Sequence, residues 1–96
     1  MSLVQTVTLA PGASTGWHYH PGRVDVIVLS GTLTRTLADG TVEVSEAGQT
    51  LVEQAGPGFV HVGRNHGDVP VVLVASYDAP DGCPLAVAVP TPQWSG

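Results

Sequence analysis

Lysine is missing from this chain altogether, and arginine occurs only at Arg23, Arg35 and Arg64. Without lysine there is no amine for a Schiff base or for attachment of pyridoxal phosphate. Three cations stand against eight acidic residues, giving a formal net charge of −5. The basic footprint that nucleic-acid binding requires is therefore lacking. Attraction to an anionic membrane surface fails for the same reason. The single cysteine, Cys83, cannot close an internal disulfide. It stands between Gly82 and Pro84 with no cation beside it, and reads as an incidental small residue rather than an activated thiol. No apolar run is long enough to span a membrane. The opening Met1-Ser2-Leu3-Val4-Gln5 has neither the charged segment nor the apolar core of a secretion signal, so a cytoplasmic location is expected. Charged residues make up 11% of the chain against 43% hydrophobic, the reverse of a disordered composition.

Helix signals are also wanting. Leucine and glutamate are too scattered to form an amphipathic stripe. What is present is valine and threonine, punctuated by 12 glycines and 8 prolines. Runs of β-branched residues bounded by glycine and proline predict short strands. These run from Leu3 to Leu9, Ser14 to His20, Val24 to Ser30, Thr32 to Ala38, Thr41 to Ser45, Gln49 to Glu53, Gly58 to Arg64, Val69 to Tyr77 and Pro84 to Pro90. Asp39-Gly40 predicts a tight hairpin. Eight or nine strands with turn signals every eight to twelve residues imply an antiparallel sandwich or barrel. The length of 96 residues implies one domain over 1–96. A chain this short buries only about 60–65% of the surface it exposes when unfolded, so a homodimer is expected to supplement its core.

Within this frame, His18-Tyr19-His20 carries chemistry. Alternate residues of a strand point to one face, so both imidazoles project the same way. Two neutral imidazoles side by side can hold a divalent metal. His61 follows later, in Gly58-Phe59-Val60-His61-Val62-Gly63-Arg64-Asn65. The plainer alternative is a set of hydrogen-bonded core histidines. The fourth histidine, His66, is out of register with His61 beside Gly67 and is expected at the surface or the mouth of the site. Asn65 is expected to tie backbone together.

These residues resemble the cupin superfamily. Its first motif is written G-x5-H-x-H-x3-E-x6-G, on which Gly12, His18, His20 and Gly31 fall. Its second is written G-x5-P-x-G-x2-H-x3-N, on which Gly58, His61 and Asn65 fall. Sixteen residues lie between Gly31 and Gly48, a spacer similar to that of small single-domain members. Two departures stand out. The glutamate position of the first motif holds Val24, and the proline position of the second holds Gly56, with Pro57 next door. Asp25 could take the glutamate role only through a bulge at Pro21-Gly22. Strand parity places His18, His20, Val24, Val26 and Val28 on one face and Asp25 on the other.

The resemblance implies an all-β cupin jelly roll in which His18, His20 and His61 converge on one divalent transition metal: Fe, Zn, Ni, Cu or Mn. Val24, Val26 and Val28 should line the pocket, with Phe59 on the face of His61. Trp17 and Tyr19 should face away from the metal and fill a subunit interface. Tyr77 could bring a hydroxyl to the cavity mouth. Arg35 and Arg64 could clamp a carboxylate, although solvation at the surface is the usual fate of such residues. Glu43, Glu46 and Glu53 fall near turns and outer faces, leaving no obvious general base. No Ser-His-Asp arrangement, phosphate loop or Cys-x-x-Cys pair occurs. Some cupins with three-histidine iron sites are dioxygenases. A metal-dependent, oxygenase-like enzyme acting on a small organic molecule is the expected function. A non-redox isomerase, cyclase or decarboxylase, or a non-catalytic binding protein, are the alternatives.

Overall fold

The computed structural model describes residues 2–95. Among the described residues nine strands occur in order: β1 (Ser2–Leu9), β2 (His18–Tyr19), β3 (Arg23–Ser30), β4 (Thr32–Leu37), β5 (Val42–Glu46), β6 (Thr50–Glu53), β7 (His61–Arg64), β8 (Val71–Asp78) and β9 (Val87–Ala88). Short 3-10 turns cover Pro57–Phe59 and Gln93–Ser95. Among the described residues no helix is long and apolar enough to cross a membrane.

The strands form two sheets, ordered β1-β8-β3-β6 and β5-β4-β7-β2-β9, with every pairing antiparallel. This is the expected all-β sandwich. Alternation decides which residues enter it. In β3, Val24, Val26 and Val28 are buried while Arg23, Asp25 and Ile27 are exposed. Val71, Leu73 and Ala75 of β8 join them, together with Leu9 and Leu33. The outer face of the first sheet exposes Val4, Ile27 and Val52.

The expected strand from Ser14 to His20 is broken. Gly16 adopts φ 73°, a left-handed conformation that interrupts a ladder and suits glycine. Before it, the chain still tracks β7 through an isolated bridge between Ser14 and Arg64 and a backbone bond from Thr15 to Gly63. After it, only His18 and Tyr19 form regular strand. The expected strand from Gly58 is shortened as well. Pro57 opens a 3-10 turn, and β7 begins at His61. The predicted last strand, Pro84 to Pro90, contracts to Val87–Ala88.

Asn65 locks the second motif to the sandwich, as expected. It is 1% exposed, and its Nδ2 donates to the carbonyls of Leu9 and Val69 while its Oδ1 accepts from the Gly67 amide.

Candidate metal centre

β2 and β7 are neighbours, and their register sets His18 directly opposite His61. The paired rings lie 4.4 Å apart between centroids, and His20 stacks its ring 4.8 Å from His18 and 5.2 Å from His61. Ligand atoms of all three lie within 4.8 Å of one another. The histidines that the sequence singled out are thus brought together, His20 and His61 buried inside the sandwich and His18 half-buried. His66 is exposed, and Asp25 points outward, where it pairs with Arg23 at 2.8 Å.

Each ring is oriented by a backbone carbonyl. His18 Nδ1 lies 2.9 Å from the Gly16 oxygen, His61 Nδ1 2.9 Å from the Phe59 oxygen, and His20 Nδ1 2.8 Å from the Leu85 oxygen. A carbonyl can only accept, so each Nδ1 carries a proton, and in the neutral ring Nε2 presents a lone pair. The Nε2 atoms of His20 and His61 are buried without a hydrogen-bond partner. Buried polar atoms are seldom left in this state. Nε2 lone pairs directed into a shared cavity could hold a transition-metal ion.

A residue assigned by sequence to an outer face also enters the site. Glu53 on β6 places Oε1 2.9 Å from His20 Nε2 and Oε2 3.0 Å from His61 Nε2. Neither contact is aligned as a hydrogen bond. Burial pushes the Glu53 carboxyl up, but the two imidazoles beside it outweigh burial and hold it well below the usual carboxylate range. The carboxylate reciprocates on His20: burial lowers that imidazole, while Glu53 and the Leu85 carbonyl together raise it above its ordinary value. His18 is lowered, chiefly by burial. The available sequence signal for Glu53 was its parity with Leu51, which faces the core; Thr50 and Val52 alternate with them and are exposed.

Arg35 is the second correction, since it is buried rather than solvated. Alternation with Leu33 turns it inward, where Nη1 lies 3.3 Å from Glu53 Oε2 and Nη2 lies 2.6 Å from Glu43 Oε1. Trp17 is the third. It is 5% exposed and packs edge-on against Trp94 at 5.8 Å, so it fills space within the chain instead of a subunit interface. Phe59 is the fourth: its side chain is exposed, and it serves the site through its carbonyl. Tyr77 stands where expected, its ring 5.8 Å from His20, and burial raises its phenol above the ordinary value.

A cavity of about 70 Å³ lies among the three histidines, Glu53, Arg35 and Tyr77. A cleft of about 710 Å³ lined by Trp17, His18, His20, Arg64 and Tyr77 adjoins it. That volume suits a small organic molecule. On another side, a cleft of about 390 Å³ is lined by Arg35, Glu53, Phe59 and His61.

Comparison with known proteins agrees with the fold. Residues 5–77 match the family model described as a cupin domain. Among solved structures, the chain is similar to an uncharacterized conserved protein with a double-stranded β-helix domain from Klebsiella pneumoniae. Identity is 31% and the TM-score 0.72, covering 93% of this chain and 76% of that one. A Cupin 2 conserved barrel domain protein from Salinispora arenicola matches at 25% identity and TM-score 0.69, over 79% of this chain and 61% of the other. Oxalate oxidase matches at 25% identity and TM-score 0.74, over 92% of this chain but 46% of its own length. Among curated proteins, none matches.

Proposed function

The chain belongs to the cupin family, and from that premise we propose that it is a metal-dependent enzyme acting on a small organic molecule at His18, His20 and His61. One observation carries the reading: three imidazoles, each with Nδ1 committed to a backbone carbonyl, converge within 4.8 Å, and the buried Nε2 atoms of His20 and His61 lack an aligned hydrogen-bond partner. The donor set fits one divalent transition ion among Fe, Zn, Ni, Cu and Mn; affinity alone does not choose among them. Such an ion supplies Lewis acidity and, if redox-active, one-electron chemistry with oxygen.

The chain's own residues do the remaining work. Trp17, Arg64 and Tyr77 frame the cleft that leads to the histidines and would orient the substrate there. The Arg64 guanidinium on the cleft wall is one donor toward a bound acceptor. The Tyr77 phenol, held protonated by burial, is a second donor. Valines of β3 keep the interior apolar and exclude water. The likeness to oxalate oxidase adds small carboxylic acids to the substrates worth testing.

The leading form of the reading is an oxygenase. Anaerobic loading with Fe(II), followed by oxygen-uptake measurements against diketones, thiols, phenolic acids and small carboxylic acids, should give turnover that His61→Ala abolishes. No turnover with any loaded metal, with or without oxygen, would overturn the enzymatic reading. A non-redox isomerase, cyclase or decarboxylase is the second form of the reading, since the same donor set also fits Zn(II) and Ni(II). Turnover with Zn(II) or Ni(II) in the absence of oxygen would identify that form. Pairing of two copies remains part of the reading, with the exposed outer face of the β1-β8-β3-β6 sheet as its apolar surface; sedimentation velocity tests it.

A further inference from the structure

We infer that Glu53 is the acidic ligand of this site, supplied from β6 in place of the β3 position that holds Val24. The inference rests on the metal-binding reading above. Val24 of β3 pairs directly with Glu53 of β6 and with Tyr77 of β8. Paired residues of an antiparallel ladder share a face, with Cβ atoms about 4.5–5.5 Å apart. Val24 is 1% exposed and faces the interior, so Glu53 faces the interior from one strand away. The longer glutamate side chain spans that displacement. A carboxylate absent from one strand has thus been restored by its neighbour, on the same row and toward the same histidines.

The distances agree. Glu53 Oε1 and Oε2 lie 2.9 Å from His20 Nε2 and 3.0 Å from His61 Nε2. Donor atoms at adjacent corners around an ion with bonds of about 2.0–2.2 Å stand about 3 Å apart. Alignment agrees too. Both Nε2 atoms lack a hydrogen-bond partner although carboxylate oxygens are this close. With each Nδ1–H facing a carbonyl, lone pairs of nitrogen and oxygen would face one another unless a positive charge, a proton or a metal ion, lies between them.

Arg35 is a positioning residue in this scheme. Its Nη2 is fixed by Glu43 at 2.6 Å, and its Nη1 reaches Glu53 Oε2 at 3.3 Å. It steadies the carboxylate from the side away from His20, which lies against Oε1. The consequence concerns metal choice. Three neutral nitrogens and one anionic oxygen favour harder ions such as Mn(II) and Fe(II) more than three nitrogens alone would.

Titration of the purified protein with Co(II), followed by visible absorption and calorimetry, tests this without reference to activity. Wild type should bind one equivalent. Glu53→Gln, which keeps the shape and removes the charge, should bind about 10–100-fold more weakly with an altered Co(II) spectrum. The exchange Glu53→Val with Val24→Glu should recover most of that loss. Because Glu53→Gln could fold poorly, an infrared difference spectrum of wild type with and without Zn(II) gives an independent reading: a carboxylate band should move on metal addition. Unchanged affinity and spectrum in Glu53→Gln, or no carboxylate band moving in wild type, would overturn the role of Glu53 and leave the three-histidine reading standing. Failure of wild type to bind any Co(II) would sink both.

Discussion

Asn65 shows what one side chain contributes to a small sandwich. It satisfies two carbonyls and one amide at once, joining the end of β1 to the turn after β7. Truncation would leave those backbone groups buried and unpaired, at about 1–3 kcal/mol each before relaxation and water entry. Asn65→Ala is therefore expected to lower the free energy of unfolding by about 2–4 kcal/mol, measured by urea denaturation. At this scale the sequence was readable wherever parity was unambiguous. His18, His20, His61, Val24 and Asn65 all stand where motif and alternation put them. The inward turn of Glu53 and Arg35 is not legible in the sequence, because charge ordinarily marks exposure. In fact each is buried against the other's opposite charge, the usual condition under which such residues enter an interior.

The strands themselves were legible from glycine, proline and β-branched runs; their ends were not. Alternation predicted β3 and β4, and a nearly continuous apolar run predicted β8; β3 and β8 each bury an apolar face, while β4 buries Leu33 beside Arg35. The segment before His18 was harder to read, because one left-handed glycine at position 16 splits it. The turn joining His20 to β3 is equally demanding. A Cβ at Gly22 would sit 1.9 Å from the Asp78 carbonyl oxygen, a backbone atom that pairing with β3 holds in place. Gly22→Ala must push β3 from β8 at the end nearest His20. It is expected to cost about 1–3 kcal/mol, read as a lowered Tm, and to weaken metal binding although no ligand has changed.

On the scale of the molecule, the sandwich exists to bring two sheets to one point. The second sheet delivers the three histidines and Arg35; the first delivers Glu53 and Tyr77. The separation of these groups along the chain is why the sequence alone displayed the histidines, which carry a motif, and hid the carboxylate, which does not. The same arrangement couples the site to acid stability. A carboxyl held below its ordinary value of 4.5 adds stability that is complete above that pH and is lost as pH falls toward the lowered value. His18, lowered, and His20, raised, act in opposite senses around 6.5. Glu53 therefore governs the acid limb. Without added metal, the unfolding free energy of wild type should fall as pH drops below 4.5, and Glu53→Gln should show a shallower fall over the same range, measured by urea denaturation at each pH.

The metal content of protein purified without a metal-affinity tag, by elemental analysis of wild type beside His61→Ala, probes the histidine site most directly. The converged imidazoles predict close to one equivalent of a transition metal in wild type and little in the variant. Equal trace amounts in both would contradict that account and leave the three rings as hydrogen-bonded residues of the interior.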